Sequence, residues 1–490
     1  MNTFKKRVED WRNGAVVYQV IVDRFNPPKQ LDSNLYPYPK NLKAWNDLPK
    51  AGVFLPNVKY WSHELDFWGG NLKSLLEKID YIKQLNIDVL YLNPIVDSLS
   101  NHKYDATDYL KISSEYGTKE DLINLIQATH QHGMNIMLDG VFNHVGVQSF
   151  LFQSAQDPNS PYRQFFDFNP NYPEGVRLWA DAKSLPELNL ENQAVKDYIY
   201  QDENSVIKTY LKDGIDGWRL DVAFDIGFDI LKSLTDEAHR IKEDAMIVGE
   251  IWNYPERWLK SIDGVMNFTF REIILRLIRG EITPAKASKM LLDVIESSGI
   301  EPILKSWLLL DNHDVPRLTY QLPDEQMRKL AQVLQFTLPG SPNLYYGSEL
   351  GMQGGYDPEN RAPMRWDLIS NNPTLVWVQS LIQLHQKEIA LKVGDYIAID
   401  SECFGFMRVT DHIEDSVIIL MNPTLHSITD TILLKDSRLM NFTKFDFLMG
   451  ERLEMTFLAG LVKFELPPMS FSIFKPHTKA DRSYTPYKRV

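Results

Sequence analysis

Apolar runs rich in β-branched residues recur along the first two thirds of the chain, with amphipathic segments between them. Short runs of this kind are typical of buried strands, whereas the intervening segments have helical spacing. A chain that alternates strands with helices favours a parallel sheet. We predict eight strands, at residues 16–25, 87–94, 134–142, 217–223, 245–252, 263–268, 303–313 and 343–349.

Helices fit between these strands. Apolar residues recur at helical spacing in 71–85, and segments 119–133 and 192–214 each close on a glycine suited to a helix C-terminus. Eight strands with helices between them form a closed barrel most naturally. We therefore predict an α/β fold, a (β/α)8 TIM barrel.

Two regions depart from this pattern. An insertion at 145–191, rich in Asn, Pro, Asp and aromatic residues, follows the third strand and should overhang the mouth of the barrel. Beyond about residue 390, short alternating runs predict an antiparallel β-sandwich. The predicted domains are the barrel (1–144 and 192–390), the inserted subdomain (145–191), the C-terminal β-sandwich (391–477) and a tail (478–490) that we expect to fray.

Composition narrows the classes of function. The net charge is −13 and no long basic run occurs, which argues against a nucleic acid partner. Cys403 is the only cysteine, so no disulfide can form within the chain, and a reducing compartment is favoured. The charged N-terminal segment has no apolar signal-peptide core, and no stretch is long enough to span a membrane. We expect a soluble cytoplasmic protein.

Four of the predicted strands end in acids, histidine or asparagine, at 138–144, 217–223, 247–252 and 309–314. A parallel barrel delivers the residues at its strand ends to one mouth, where catalysis takes place. Taken singly, each polar residue has a structural alternative such as a cap, an ion pair or core packing. Their recurrence at four strand ends favours a shared active site.

Three acids in these stretches match the needs of glycosidic bond hydrolysis. With retention, one carboxylate attacks the anomeric carbon and a second group protonates the leaving oxygen, about 5–5.5 Å away. Asp221 follows Arg219 by two residues, so both side chains point the same way, and we expect the guanidinium to keep Asp221 ionised. Glu250 is the candidate proton donor, and Asp314 can stabilise the positively charged transition state.

Other residues near the same strand ends are candidates for holding a sugar. His144 and His313 can donate to hydroxyl groups, and Asp139 and Asn143 would support the third strand end. Tyr104 is the strongest aromatic candidate for stacking on a sugar ring. The weaker aromatic candidates, for which core packing or loop anchoring is an equal alternative, are Trp68, Trp179, Trp252 and Trp366.

The four stretches resemble the regions that mark the alpha-amylase family, glycoside hydrolase family 13, over about residues 16–370. Segments 67–82, 91–109 and 347–367 are most similar to its cyclomaltodextrinase, neopullulanase and maltogenic amylase group. The sequence LPELN at 185–189 is similar to the MPKLN signature of that group.

The resemblance implies a role for each matching residue. Asp221 would be the nucleophile, Glu250 the acid/base and Asp314 the transition-state stabiliser. By the same match, Arg219, His144 and His313 would line the subsite of the attacked glucose, and Tyr104 would stack beneath it.

The sequence also departs from that group. It lacks the group's N-terminal carbohydrate-binding-like domain, which helps to form the dimer and narrow the cleft, so a homodimer and a cyclodextrin preference are both left open. Phe224 and Asp225 stand where Asn and Glu are usual, and Glu187 replaces a lysine. Relatives often bind calcium, but loop 23–34 lacks the usual glycine-containing calcium loop. We expect no required cofactor, assign no metal ligand and leave calcium open.

The leading hypothesis is a retaining hydrolase of α-1,4 bonds in short maltodextrins, cyclodextrins or pullulan. An exo-α-glucosidase or oligo-1,6-glucosidase shares the same four regions, but typically carries Gln-Pro-Asp where this chain has Leu185-Pro186-Glu187. A non-catalytic amylase-like binding protein is the third alternative. It would be expected to lack one or more of the acids, all of which are present here.

Overall fold

The computed structural model describes residues 3–480 and 484–489. Eight parallel strands pair in chain order, and the first closes against the eighth. The predicted TIM barrel is therefore confirmed. Its strands, numbered β1 to β8, are Val17–Val20, Val89–Leu92, Asn135–Gly140, Gly217–Leu220, Met246–Ile251, Gly264–Asn267, Trp307–Leu309 and Ser341–Tyr345.

Two layers of apolar side chains surround these strands, as the alternation of strand residues requires. Side chains that point inward fill the barrel, among them Val17, Tyr91, Met266 and Trp307. Those that point outward pack against a ring of helices. The main helices of this ring are Lys119–Gln131, Val206–Asp213, Phe228–Ile241, Phe268–Ile278, Pro284–Ser298, Glu325–Thr337 and Pro373–Lys387.

Several predicted elements are shorter than their sequence pattern indicated. The segment 71–85 forms two helices, Leu72–Leu76 and Ile79–Gln84. The segment 192–214 is interrupted because its polar run around Asp202 has no apolar side chain to bury. It forms Gln193–Lys196, a π-helical turn Asp197–Gln201 and Val206–Asp213.

Two strand predictions also extend too far. Residues 303–305 belong to the helix Ile300–Lys305, and only Trp307–Leu309 of the predicted strand 303–313 enters the sheet. The first strand ends at Val20, and residues Val22–Phe25 turn into a short helix. Apolar composition alone does not separate a buried helix end from a buried strand.

Long loops extend beyond the carboxyl ends of several strands, and the one after β2 carries a hairpin, Val96–Ser98 with Ala106–Ile112. The insertion after β3 holds a short helix, Phe150–Ser154, and isolated bridges such as Leu178 to Pro186. The loop after β1 is also long, and it carries a two-stranded hairpin, Phe54–Leu55 with Tyr60–Trp61. This hairpin was not predicted from the sequence.

The predicted C-terminal β-sandwich is confirmed as two antiparallel sheets around a second apolar core. The five-stranded sheet contains, in order, Asp395–Ile399, Phe404–Val409, Val417–Asn422, Ser470–Pro476 and Phe445–Gly450. The three-stranded sheet contains Ile428–Leu433, Leu461–Leu466 and Thr456–Leu458.

The predicted tail at 478–490 lies partly outside the described residues. Within its described part, Tyr487 is buried in the second core, and its hydroxyl accepts from the Met440 backbone N–H at 3.3 Å. This part of the tail is docked on the sandwich, contrary to the expectation that it would fray.

The barrel and the sandwich share buried contacts. The wholly buried Arg408 of the sandwich donates to the carbonyl of Thr337 in the barrel at 2.9 Å and to that of Gly394 at 3.0 Å. Phe406 and Ile419 belong to the same apolar cluster as the barrel helices. Among the described residues, no helix combines the length and the apolar character needed to cross a bilayer.

Candidate active site

The turn after β4 positions two of the candidate acids. Asp221 follows the last strand residue, and Val222 adopts a left-handed conformation with φ 38° and ψ 46°. A β-branched residue is strained in this region, at a cost of about 1–3 kcal/mol. The backbone N–H of Val222 donates to Glu250 Oε2 at 3.0 Å. The strained turn therefore connects the end of β4 to the carboxylate of β5.

Arg219 gathers three carboxylates inside the barrel mouth. Its Nη1 lies 2.8 Å from both Asp139 Oδ1 and Asp221 Oδ1, and its Nη2 lies 2.9 Å from Glu250 Oε2. The guanidinium is wholly buried. Because one guanidinium contacts both, Asp221 and Glu250 lie side by side. Closely spaced carboxylates are what retention at the anomeric carbon requires.

Burial dominates the charge state of this cluster. Desolvation raises the pKa of Asp221 well above its usual value; Arg219 opposes this rise, and neighbouring carboxylates add to it. Desolvation also raises the pKa of Asp139, again against Arg219. Arg219 therefore favours the ionised carboxylate, as expected from the sequence, but burial outweighs its effect on the pKa. The ionised state of Asp221 in the free protein stays a prediction.

Asp314 lies in the loop after β7 and faces the same cavity. Its carboxylate is 3.1 Å from His313 Nε2 and 3.5 Å from Arg361 Nη2. Arg361 also lies 3.4 Å from Asp357 and donates to the backbone carbonyl of His313 at 2.9 Å. Burial raises the pKa of Asp314, and the positive charge of Arg361 opposes that rise.

Tyr104 joins the second, third and seventh strand ends. Its hydroxyl donates to Asp139 Oδ2 at 2.8 Å, accepts from Asn93 Nδ2 at 2.8 Å and lies 2.5 Å from His313 Nε2. The rings of Tyr104 and His313 are parallel, with centroids 5.3 Å apart. Gln19 contacts the other nitrogen of His313 at 2.8 Å. The network fixes both rings, and Tyr104 presents its ring to the cavity.

His144 is buried beside the inserted segment. Its ring stacks on Trp179 at 5.2 Å, and neither ring nitrogen has a well-formed hydrogen bond within the described residues. Burial lowers the pKa of His144 to about 3, so the ring is neutral at physiological pH. A neutral imidazole that faces a cavity can both donate to and accept from sugar hydroxyls.

Trp252 lies next to the candidate proton donor. Its Nε1 donates to Glu250 Oε1 at 2.8 Å, and its ring stacks on Phe268 with centroids 3.8 Å apart. Nearly half of the Trp252 surface is exposed. The indole thus holds one oxygen of Glu250 and leaves an open face beside it.

A cavity of about 630 Å³ lies over these residues. Six of the ten predicted site residues line it, namely Tyr104, His144, Asp221, Glu250, Trp252 and Asp314. The other four, Asp139, Asn143, Arg219 and His313, lie behind this wall and are buried. The structure therefore brings all ten to one barrel mouth and separates them into a lining set and a supporting set.

Of the other aromatic residues proposed to stack on sugars, one lines the cavity and two do not. Trp179 lines the cavity and donates from Nε1 to Asp225 at 3.1 Å, while the adjacent Phe224 is also part of the wall. Trp68 is instead buried against the guanidinium of Arg24. Trp366 packs against Phe25 and Tyr81, and neither Trp68 nor Trp366 lines the cavity that holds the acids.

Glu187 does not line the cavity. It forms a backbone bridge with His144, and its carboxylate lies 3.8 Å from Arg177. The negative charge of Glu187, which stands where relatives usually have a lysine, is therefore balanced by Arg177 on the inserted segment.

Sequence reasoning missed several residues of the cavity wall. Phe54, Lys59, Trp61 and Glu64 all come from the loop after β1, where the sequence has no periodicity to predict an element. Arg361 was also missed as a site residue, although it lies within a segment that carried the family resemblance. The available signal was an arginine that follows two nearby acids, Asp357 and Glu359.

The model of the protein family described as "Alpha amylase, catalytic domain" matches residues 19–406 of this chain. The chain belongs to the alpha-amylase family. The resemblance is thus confirmed, and this alpha-amylase family protein is a glycoside hydrolase, as predicted. It is 31% identical to a cyclomaltodextrinase of Thermoanaerobacter pseudethanolicus, over 84% of this chain and 71% of that one.

Other relatives of this alpha-amylase family protein match along most of its length. A neopullulanase 2 of Thermoactinomyces vulgaris is 31% identical over 94% of this chain and 77% of that one. The solved structure of a debranching enzyme from Nostoc punctiforme superposes with a TM-score of 0.81 and 29% identity, covering 95% of this chain and 99% of that one.

Proposed function

We propose that this protein hydrolyses α-1,4 bonds of short maltodextrins, cyclodextrins or pullulan with retention. The observation that carries the proposal is the side-by-side placement of Asp221 and Glu250 on one buried guanidinium, with Asp314 in the same cavity. Relatives named cyclomaltodextrinase, neopullulanase and maltogenic alpha-amylase support this substrate class.

In the proposed reaction, an oxygen of Asp221 attacks the anomeric carbon while Glu250 gives a proton to the leaving glycosidic oxygen. The bond to the leaving sugar breaks, and a glycosyl ester forms on Asp221. Glu250 then takes a proton from water, which attacks the same carbon and releases Asp221. Asp314 stabilises the positive charge that develops on the sugar ring.

The supporting residues hold these catalytic groups in position. Arg219 fixes one oxygen of Asp221, while Trp252 and the Val222 backbone hold the two oxygens of Glu250. Tyr104 offers its ring face to the attacked glucose. Such positioning lowers the barrier because the reacting atoms start close to their final arrangement.

A second specificity has its own supporting observation. The solved structure of a debranching enzyme from Nostoc punctiforme superposes on this chain with a TM-score of 0.81. Cleavage of α-1,6 bonds at the same acids is therefore the alternative substrate preference.

Product analysis after incubation with β-cyclodextrin, pullulan, maltotriose and isomaltose tests the proposal. We expect maltotriose to be cleaved and pullulan to yield panose. Glucose from isomaltose, without panose from pullulan, would favour the exo-glucosidase or oligo-1,6-glucosidase instead. Glucan binding with no hydrolysis of any of the four would support the non-catalytic alternative.

We propose that turnover needs no metal. In the loop after β1, Asp23 pairs with Arg24 and accepts from the backbone N–H groups of Trp68 and Gly69, while Asp32 caps a short turn. These carboxylates are occupied and do not fit a calcium cage, which takes six to eight oxygen ligands. The described residues hold no cluster of three or more His, Cys, Asp or Glu suited to a metal.

We expect excess EDTA to leave both the melting temperature and the rate on maltotriose unchanged. Differential scanning fluorimetry and a reducing-sugar assay measure the two quantities. A fall in melting temperature that added calcium restores would show that a calcium site exists and contributes to stability.

We further propose that the enzyme works in the cytoplasm, because its single cysteine, Cys403, is free and buried. Assembly as a homodimer stays a prediction.

A further inference from the structure

The hairpin in the loop after β1 carries aromatic rings into the catalytic cavity. Phe54 and Trp61 face each other across the hairpin, with ring centroids 5.6 Å apart in an edge-to-face arrangement. Both line the cavity that holds the three acids, yet Phe54 is 36% exposed and Trp61 is 48% exposed. Large aromatic side chains with this much open surface do not serve core packing.

The base of the hairpin is fixed to the segment that carries Tyr104. Asn101 donates from Nδ2 to the His63 carbonyl at 2.8 Å and from its backbone N–H to the Glu64 carbonyl at 2.7 Å. The imidazole of His102 lies 3.4 Å from the carboxylate of Glu64. Tyr104 follows His102 by two residues and donates its backbone N–H to His102 Nδ1 at 3.0 Å, so the hairpin and the proposed glucose-holding residues form one connected wall.

Close backbone approach also restricts the hairpin. A side chain at Gly52 would place its Cβ 2.2 Å from Ser62 Oγ and 2.6 Å from the His63 backbone nitrogen, so only glycine fits there. The tip is joined to the inserted segment, because Lys59 lies 3.4 Å from Glu174, which also pairs with Lys183 at 2.9 Å. The hairpin is therefore held at both ends.

The position of the hairpin indicates which part of the substrate it faces. Trp252 contacts Glu250, the proposed proton donor, and so marks the side of the leaving group. The hairpin is instead connected to Tyr104, which contacts His313 and, through it, Asp314. Those residues surround the attacked glucose in the proposed function, so Phe54 and Trp61 lie next to the sugar that precedes it.

We propose that Phe54 and Trp61 form a stacking platform for the glucose unit on the non-reducing side of the attacked glucose. The platform determines specificity, and it rests on the proposed function of the acids. Flat apolar ring faces bind the C–H faces of a pyranose, while its hydroxyls stay free for polar partners. Substrates with at least two glucose units before the scissile bond gain this contact, and single glucosides do not.

The test compares para-nitrophenyl α-maltoside with para-nitrophenyl α-glucoside, which differ by the one glucose that would reach the platform. In the double variant Phe54→Ala/Trp61→Ala, we expect kcat/KM for the maltoside to fall about tenfold, mostly through KM. The value for the glucoside should stay within about twofold of the wild type, because no contact to that substrate is lost. Trp61→Phe should recover part of the maltoside activity.

Phe150→Ala is the matched control, since Phe150 is an exposed aromatic residue of the inserted segment that does not line the cavity. An equal loss on both substrates would show a structural role and overturn the platform, as would no loss on either. If the glucoside reacts too slowly to follow, glucose and maltose are compared as competitors of the maltoside. Wild-type protein that releases nitrophenol from neither substrate would refute the proposed function itself.

Discussion

Replacing Asp221 with asparagine should lower kcat on maltotriose by about 10⁴- to 10⁶-fold, the loss seen when a nucleophile is removed from a group of residues that act as a unit. The amide cannot form the glycosyl ester, but its oxygen can still accept from Arg219. A coupled glucose assay with long incubation measures the residual rate. Activity within about tenfold of the wild type would remove Asp221 from the mechanism.

The same substitution should raise the melting temperature. Burial raises the pKa of Asp221 in the folded protein, so its ionised form destabilises the fold at neutral pH, where the unfolded chain carries the charge freely. A neutral amide removes that cost, as in other sites where activity and stability conflict. The exposed Asp229 provides a control: Asp229→Asn should leave kcat unchanged and should not raise the melting temperature, because Asp229 lies in the first turn of a helix. A lower melting temperature in the Asp221 variant would indicate a folding defect.

Substitution of Arg219 by methionine should destabilise the protein by about 3–5 kcal/mol, because it leaves buried carboxylates without their counter-charge. Activity should be lost as well, since Asp221 and Glu250 would no longer be held side by side. Urea denaturation followed by tryptophan fluorescence measures the stability difference. Arg240 pairs with Glu237 on the surface, so Arg240→Met should have a small effect.

The pH dependence of the stability loss in the Arg219→Met variant gives a second measurement. Burial already raises the pKa of Asp139 and Asp221, and without Arg219 both values should rise further. An acid with a raised folded-state pKa destabilises the fold above its unfolded pKa, and protonation relieves the cost. The loss of stability in the Arg219 variant should therefore shrink as the pH falls and these carboxylates become protonated. A loss that does not change with pH would mean that lost packing, not charge, causes it.

The sequence predicted the barrel because buried parallel strands and amphipathic helices have distinct periodicities. It also predicted the strand-end acids, since the change from apolar to polar residues at Asp221 and Glu250 is a local feature. The hairpin at 54–61 was missed because its aromatic and polar residues follow no period. Its position depends on distant partners such as Asn101 and Glu174.

The raised pKa of Asp221 could not be predicted from the sequence for a different reason. Two residues of spacing correctly placed Arg219 beside it, but the depth of burial depends on the whole barrel mouth. The absence of Trp68 and Trp366 from the cavity wall has the same origin. An indole in a loop can stack on a ligand or on a neighbouring arginine, and the local sequence is the same in both cases.

The buried guanidinium of Arg408 has a consequence for attempts to make this enzyme smaller. A chain cut at the end of the barrel would lose the donor to Thr337 and uncover the apolar surface now packed by Phe406 and Ile419. Newly exposed surface of that kind promotes aggregation. Grafting this barrel onto another protein, or exchanging its C-terminal domain, would therefore require redesign of the interface between the two domains as well as of the connecting segment.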